Sequence, residues 1–391
     1  MRIVVVAEAK GSAEVLLPLC LEWRNRGAAV SVFAVGTASE AAGFAQLPYV
    51  HSQHPSLVEP ELVGADLLLV GLTGSASPER EAIALARARD VPVVGVLDNV
   101  DRITKRLSPG PLPDLVLLSA DSLPSAAAEA LVADHGAEGR RMAEAIRVVG
   151  NLRRDLAAHR RSQFDDNRRR EVLAAALAGT SDSAVIEQTI TGLRQPVVLF
   201  SQTIAPTAPY WRSYGVDAGE PRILYSASLI ASAKTLGSLV GRDDVTLIMR
   251  PHPAELSEPA RHLCIEFGAA LSPPGSCDSL DLALAAGRIV SPPSSMLDQG
   301  AFLRVRTVAL LYETPGPFHF ESLRRGQVLA VDRIEDTPGA LDDLLDTSPR
   351  GEQRWTERLD AGHRGILAPQ VVDLVERWMV HPKGELTIAD N

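Results

Sequence analysis

The chain has 391 residues, of which 46% are hydrophobic and 23% charged, and its formal net charge is -10 at pH 7. This length predicts two domains of a soluble globular class, and the acidic balance argues against nonspecific binding to nucleic acid or to a membrane surface. Cys20, Cys264 and Cys277 are too few and too irregularly spaced to predict a disulfide framework or a zinc site.

The N-terminal apolar run, residues 3–7, is too short for the core of a signal peptide and predicts a first strand. No apolar run approaches the about 20 residues that a membrane-spanning helix needs. We therefore expect a cytoplasmic protein without an integral membrane segment.

Short apolar runs alternate with helical periodicity through the first 150 residues. This alternation predicts a parallel sheet with helices on both faces. A loop with Gly11 and Ser12 separates the first strand from a helix over 13–26. Further strands are predicted at 29–35, 66–70, 91–97, 114–118 and 146–149, with a helix at 78–89. We place an N-terminal Rossmann-like acceptor domain at residues 1–150.

An arginine-rich stretch at 151–195 predicts a solvated helical linker. Beyond it, strands are predicted at 197–200, 245–249, 289–290, 306–311 and 327–331, with helices at 222–240, 259–267, 295–303 and 355–380. We expect a Rossmann-like donor domain at 196–350 and a C-terminal helix and tail at 351–391. The predicted fold class is α/β, with two doubly wound domains facing a cleft.

The strand predicted at 245–249 runs into Arg250-Pro251-His252-Pro253. Proline fixes its own φ and restricts the residue before it, so this turn is stiff. Ligands of open α/β sheets bind beyond the carboxyl ends of the strands, and arginine and histidine suit phosphate oxygens. The alternative is a rigid corner with an exposed histidine, and we favour the phosphate-binding interpretation.

Two adjacent hydroxyls, Ser294 and Ser295, precede a predicted helix. We expect Ser295 to be the N-cap, with Asp298 completing an arrangement like a capping box. A helix start also offers N–H groups and a positive dipole end that bind phosphate. If this loop lies beside His252, the two form one phosphate pocket.

The order of a strand, R-P-H-P-x-E, about forty residues, S-S-M-L at a helix start and a further strand resembles the second half of GT-B glycosyltransferases. It is similar to bacterial sialyltransferases and polysialyltransferases, with their HP and SS motifs, and to teichoic-acid glycerophosphotransferases and capsule polysaccharide enzymes. The resemblance implies that His252, Ser294 and Ser295 hold the phosphates of a nucleotide-activated donor, with Arg250 in support. Asp298 stands near the place where those families often carry a glutamate for the donor ribose.

Sialyltransferases also carry an acidic triplet that supplies the catalytic base, and this triplet is absent here. Asp98 is the best-placed carboxylate because it follows the strand predicted at 91–97. Glu8, after the first strand, is the second candidate for a base that deprotonates an acceptor hydroxyl. An aspartate that only caps the next helix remains the alternative for Asp98.

Four further places are predicted to line the cleft. Ser201 and Gln202 follow the strand at 197–200 on the donor side, and Glu313 could hold a ribose or sugar hydroxyl. Acceptor-side candidates are Thr73 and Ser75, although we prefer an N-cap role for both, together with Gly11 and Ser12 of the first loop.

We therefore expect a metal-independent glycosyltransferase without a cofactor, acting on a nucleotide-sugar donor and a hydroxyl acceptor. The oligomeric state is left open, a homodimer included. One alternative is a non-hydrolysing nucleotide-sugar 2-epimerase, although residues 201–205 read S-Q-T-I-A where those enzymes usually show H-R-x-E-N. The other is a binding protein that kept a GT-B shell and lost catalysis.

Overall fold

The computed structural model describes residues 1–40, 49–51, 58–74, 77–98, 103–107, 111–180, 182–201, 237–239, 242–252, 257–311, 320–361 and 366–381. The chain divides into two compact units. Unit 1 comprises Met1–Leu156 and Gly365–Asn391, and unit 2 comprises Ala157–Arg364.

Unit 1 contains a sheet of parallel strands. They are β1 (Arg2–Ala7), β2 (Ala29–Ala34), β3 (Tyr49–His51), β4 (Leu67–Gly71), β5 (Val93–Leu97), β6 (Leu115–Leu118) and β7 (Ile146–Val148). Their order across the sheet is β3-β2-β1-β4-β5-β6-β7. The sheet therefore grows outwards in both directions from β1 and β4, and the gap between these two strands is its topological switch point.

Helices cover both faces of this sheet. They are α1 (Lys10–Asn25), α2 (Glu59–Leu62), α3 (Pro78–Arg87), α4 (Ile103–Arg106) and α5 (Ser125–Ala145, kinked at Gly136). Ile3 and Val5 pack into one buried cluster and Val4 and Val6 into another. Because β1 is buried on both faces, it is apolar at every position from Ile3 to Ala7 rather than at every second one.

The second sheet, in unit 2, repeats this plan. Its strands are β8 (Gln195–Phe200), β9 (Val245–Arg250), β10 (Ala270–Leu271), β11 (Arg288–Ser291), β12 (Arg306–Leu310) and β13 (Leu329–Val331). All pairings are parallel in the order β10-β9-β8-β11-β12-β13. The switch point of unit 2 therefore lies between β8 and β11.

The remaining helices follow in chain order. They are α6 (Arg153–Gln163), α7 (Asp166–Leu177), α8 (Ser183–Thr191), α9 (Ser257–Phe267), α10 (Ser279–Ala286), α11 (Ser295–Phe302), α12 (Glu321–Arg324), α13 (Thr337–Leu345), α14 (Pro349–Asp360) and α15 (Ala368–Val380). Short 3-10 turns occur at Gly36–Glu40, Gly237–Leu239 and Ile334–Asp336. None of the described helices combines the length and the apolar character that crossing a bilayer requires.

The predicted fold class, α/β with two Rossmann-like domains, is confirmed. The single helix predicted at 355–380 is wrong, because α14 ends at Asp360 and α15 begins at Ala368. Pro369 lies in the first turn of α15, where a missing N–H costs nothing. The helix predicted at 222–240 lies outside the described residues, apart from the turn at 237–239.

Asp155 fixes the start of α15 within unit 1. Its carboxylate accepts the backbone N–H of Leu367 at 2.8 Å and that of Ala368 at 2.5 Å. Burial raises the pKa of Asp155 to about 6, against the effect of these two bonds. The apolar side of α15 then joins the buried cluster that also contains residues of α1.

Gly300 lets α11 lie directly on the second sheet. A Cβ at this position would be 2.5 Å from Ile289 Cδ1 on β11 and 2.5 Å from Thr307 Oγ1 on β12. Real Cβ atoms do not approach other atoms so closely, so only glycine allows this packing. The contact sets where the N-terminus of α11 lies at the edge of the sheet.

We expect Gly300→Ala to lower the melting temperature. Overpacking at a buried contact costs about 1–3 kcal/mol, which exceeds the gain of up to about 1 kcal/mol from a better helix former. The matched control is Gly339→Ala on α13, where an added Cβ meets nothing within 4 Å. Thermal unfolding of both variants tests this, and a Gly300→Ala protein as stable as the Gly339→Ala protein would contradict the packing argument.

Candidate functional site

In unit 2 the ends of β8 and β9 are tied together by Ser201. The Ser201 hydroxyl oxygen accepts the backbone N–H of His252 at 3.0 Å, and the Ser201 N–H donates to the carbonyl oxygen of Arg250 at 3.1 Å. These bonds set the backbone of the turn, and the His252 side chain is exposed at the carboxyl edge of the sheet. Ser201 therefore lies at this edge, and its contact with the donor stays a prediction.

The next strand in the sheet, β11, leads into the N-terminus of α11. Ser294 is the N-cap, since it has extended backbone geometry and its hydroxyl oxygen accepts the N–H of Met296 at 3.2 Å. The Ser294 hydroxyl also lies 2.9 Å from that of Ser291. The predicted N-cap, Ser295, is wrong by one residue: Ser295 is the first helical residue, and it is exposed.

The sheet order brings His252 and the serine pair to one edge. Strand β8 pairs with β9 on one side and with β11 on the other. His252 follows β9 and Ser294 and Ser295 follow β11, so these side chains flank the end of β8 at the switch point of unit 2. A shared phosphate pocket requires this arrangement.

Arg250 is only 5% exposed, and its guanidinium contacts the loop at 272–277. It donates to the hydroxyls of Ser272 at 3.0 Å and Ser276 at 2.8 Å, to the carbonyl oxygen of Cys277 at 2.5 Å and to that of Pro273. Burial lowers the pKa of Arg250. These contacts favour a structural role, and its predicted support of the donor phosphate stays a prediction.

The structure gives less information on the donor contacts predicted for the other residues. Asp298 accepts the backbone N–H of Ser322 at 2.8 Å, which fixes the start of α12, and its contact with a ribose stays a prediction. Gln202 and Glu313, and Ser75 of the acceptor side, lie outside the described residues.

In unit 1 a buried carboxyl that the sequence interpretation missed joins the two strands of the switch point. Glu79 is fully buried on α3. Its Oε1 accepts the backbone N–H of Glu8, after β1, at 3.1 Å, and its Oε2 accepts that of Thr73, after β4, at 2.8 Å. Burial raises the pKa of Glu79, and the hydrogen bonds from Thr73 and Glu8 oppose the rise without cancelling it.

Two of the predicted acceptor-side residues, Thr73 and Ser12, lie around Glu79. The Thr73 Oγ1 is 2.5 Å from Glu79 Oε2 and 3.1 Å from Glu8 Oε2. The Ser12 hydroxyl donates to the carbonyl oxygen of Ala9 at 2.8 Å, in the first turn of α1. The Ser12 hydroxyl also lies 3.4 Å from Glu79 Oε1, so Thr73 and Ser12 belong to one cluster with Glu8, the second candidate for a base.

Asp98 has a different environment. It accepts from Arg153 Nη2 at 3.1 Å and from Arg106, and Arg153 also pairs with Glu14 at 3.1 Å. Burial raises the pKa of Asp98, but the charges of Arg153 and Arg106 outweigh it and hold that pKa below its ordinary value. A Cβ on Gly11 would lie 2.6 Å from Asp98 Oδ2, so glycine is needed for this approach. The geometry favours a structural anchor, and the role of base stays a prediction.

We expect Asp98→Asn to destabilise unit 1, because it leaves the half-buried Arg153 and Arg106 with one anionic partner fewer. Breaking a buried ion pair from one side costs about 3–5 kcal/mol. Thermal unfolding is the measurement, with Asp134→Asn, an exposed aspartate on α5, as the control. Equal melting temperatures for the two variants would contradict the structural role.

No protein-family model and no curated sequence matches this chain. Solved structures do match it. The S. aureus MnaA–UDP structure has a TM-score of 0.59 at 14% identity and covers 100% of both chains. The UDP-GlcNAc 2-epimerase of Methanocaldococcus jannaschii has a TM-score of 0.59 at 14% identity, over 96% of this chain and 100% of that one.

A third match is the UDP-GlcNAc 2-epimerase of Neisseria meningitidis bound to UDP-GlcNAc. Its TM-score is 0.56 at 12% identity, over 96% of this chain and 100% of that one. At such identities the likeness establishes the fold and leaves the reaction open. The chain therefore has the two-unit Rossmann-like fold of GT-B type along its length.

Proposed function

We propose that this protein is a nucleotide-sugar enzyme that binds the diphosphate of its donor at the carboxyl edge of unit 2. The observation that carries the proposal is the start of α11 at the switch point, with Ser294 and Ser295 on one side of β8 and His252 on the other. The fold neighbours support it, since the S. aureus structure holds UDP and the Neisseria one UDP-GlcNAc.

The chemistry of this edge suits a phosphate. The N-terminus of a helix carries a partial positive charge and N–H donors, and the exposed Ser295 adds a hydroxyl at that end. His252 adds a ring N–H and, when protonated, a positive charge. Together they would neutralise the charge that develops on a leaving diphosphate, which is the largest electrostatic task in sugar transfer.

For the reaction we favour transfer of the sugar to an acceptor hydroxyl. Such a transfer needs a base, and we assign this role to Glu8 in preference to Asp98. Glu8 is partly exposed, whereas both carboxylate oxygens of Asp98 accept from arginines. The acceptor, the absence of a metal from the reaction and a cytoplasmic location all remain part of this proposal.

The second candidate is epimerisation of the donor. It is favoured by one observation, the match over the whole chain to UDP-GlcNAc 2-epimerases. The stretch S-Q-T-I-A at 201–205, in place of H-R-x-E-N, argues against it.

We expect one nucleotide of a panel of CMP, CDP, UDP, GDP and dTDP to raise the melting temperature, and His252→Ala to weaken its binding about tenfold or more. A tenfold loss corresponds to about 1.4 kcal/mol, within the range for a hydrogen bond to a charged group. The measurement is thermal shift followed by calorimetric titration. The control is His381→Ala, an exposed histidine after α15.

Ser295→Ala should weaken the same nucleotide as His252→Ala does, because both side chains would contact one phosphate group. Equal affinity in wild type and both variants would contradict the phosphate pocket. A panel without any stabilising nucleotide would remove the proposed function and leave the fold unchanged.

The donor supplied without an acceptor separates the two reactions. Epimerisation breaks and remakes the C2–H bond, so in deuterated water it should yield a donor labelled at C2. A transferase should leave the donor unlabelled and consume it only when a hydroxyl acceptor is added. Nuclear magnetic resonance of the donor is the measurement, and label at C2 would overturn sugar transfer in favour of epimerisation.

A further inference from the structure

Three side-chain oxygen atoms lie in a row at the switch point of unit 1, each within hydrogen-bond distance of the next. Glu8 Oε2 lies 3.1 Å from Thr73 Oγ1, and Thr73 Oγ1 lies 2.5 Å from Glu79 Oε2. Both spacings are hydrogen-bond distances. This row of oxygens joins the partly exposed carboxyl of Glu8 to the fully buried carboxyl of Glu79.

The number of available protons is inconsistent with two ionised carboxylates in this row of oxygen atoms. Two hydrogen bonds need two protons, and the Thr73 hydroxyl has only one. If Glu8 and Glu79 were both carboxylates, Thr73 could donate to one of them, and the other would face a lone pair at hydrogen-bond distance. The second proton must therefore come from one of the two carboxyls.

Nearby cations do not relieve this requirement. Besides Glu79, the charged residues at the N-terminal ends of α1 and α3 and directly after β5 are Lys10, Glu14, Arg80, Glu81 and Asp98. Arg80 donates to the carbonyl oxygens of Gly74 and Pro111, and Arg153 neutralises Glu14 and Asp98. Within the described part of the chain, neither Lys10 nor Arg80 forms an ion pair with Glu8 or Glu79. The charge of Arg80 does act on Glu79, but it supplies no proton to the two hydrogen bonds of Thr73.

We propose that Glu8 and Glu79 share one proton through the Thr73 hydroxyl and so form an acid–base centre for a hydroxyl-bearing ligand. In one state Glu79 carries the proton, donates it to Thr73 Oγ1, and Thr73 donates to the Glu8 carboxylate. In the other state the Glu79 proton has moved to Thr73 Oγ1 while the Thr73 proton has moved to Glu8 Oε2. Glu79 is then a carboxylate that keeps the N–H bonds of Glu8 and Thr73.

The two states give Glu8 two chemical roles. With the proton on Glu79, Glu8 is a base that can take the proton of a ligand hydroxyl. With the proton on Glu8, it is an acid that can return one. Glu79 acts through Thr73 and is a positioning residue. The shared proton stands on the geometry alone, while its use on an acceptor hydroxyl rests on the proposed function.

Infrared spectroscopy of the ligand-free full chain tests the sharing directly. The wild type should retain the carbonyl band of one protonated carboxyl at neutral pH, well above the ordinary glutamate pKa of about 4.3. Neutral pH is chosen because it lies above the pKa of about 6 of Asp155, which every variant keeps. Glu79→Gln should remove the band.

The deciding variant is Glu8→Gln. Its amide N–H can donate to Thr73, so Thr73 can donate to an ionised Glu79, and the band should disappear although Glu79 is untouched. Glu81→Gln, an exposed glutamate on α3, should keep the band. A band that persists in Glu8→Gln would overturn the proposal, because Glu79 would then hold a proton by itself. A wild type without the band would overturn it as well.

The outcome is separable from that of the proposed function. The nucleotide panel reports on unit 2, whereas the infrared band reports on the carboxyls of unit 1 in the ligand-free protein. If no nucleotide of the panel binds while the infrared bands behave as expected, the proposed donor site is overturned and the shared proton stands. If Glu79→Gln does not fold, the comparison of wild type, Glu8→Gln and Glu81→Gln still decides.

Discussion

The carboxyl edge of unit 1 depends on the two hydrogen bonds that Glu79 accepts from the ends of neighbouring strands. One oxygen takes the N–H of Glu8 after β1, and the other takes the N–H of Thr73 after β4. A buried carboxyl is costly unless it is hydrogen-bonded, so these bonds and the burial require each other. Gly71 makes room, since a Cβ there would overlap Glu79 Oε1.

Unit 2 ties its own strand ends with a neutral group, the Ser201 hydroxyl. The edge of unit 2 therefore gains no negative charge from this bond, which suits a phosphate, while that of unit 1 is acidic and suits the handling of protons.

The sheets could be predicted from the sequence because parallel strands are buried on both faces and become continuous apolar runs. For β1, β5 and β9 this signal is unambiguous, and the residues that follow them, including His252, could be assigned to a sheet edge. Short strands such as β10, with two residues, carry too little pattern to be found. The break between α14 and α15 was missed because helical periodicity continues on both sides of it, although Pro369 was a usable signal.

The missed site residues have partners that are distant in sequence. Glu79 binds the backbone of Glu8, 71 residues away, and Arg153 pairs with Glu14, 139 residues away. Local patterns describe Glu79 as an acidic residue in the first turn of a helix, which needs no partner at all.

The direction in which a long side chain points is equally hidden from sequence analysis. Arg250 stands at a strand end where a phosphate-binding arginine would be expected, and yet it contacts the loop at 272–277. The choice between Ser294 and Ser295 as N-cap depends on one backbone conformation that the sequence leaves open.

The likeness in fold and the geometry of the edges bear on different parts of the chemistry. Sugar transfer and epimerisation both need the donor diphosphate held, so the phosphate pocket proposed at the start of α11 would serve either reaction. They differ in the proton: a transferase takes one from an acceptor O–H, whereas an epimerase removes one from carbon and returns one. A carboxylate held by two arginines, as Asp98 is, has both oxygens occupied and a lowered pKa, so it is poorly suited to either task. Glu8 is coupled through Thr73 to a second carboxyl, and this coupling lets one side chain act as base and as acid. If Glu8 is the base, as we propose, the two reactions would differ in the bond to hydrogen from which it takes the proton.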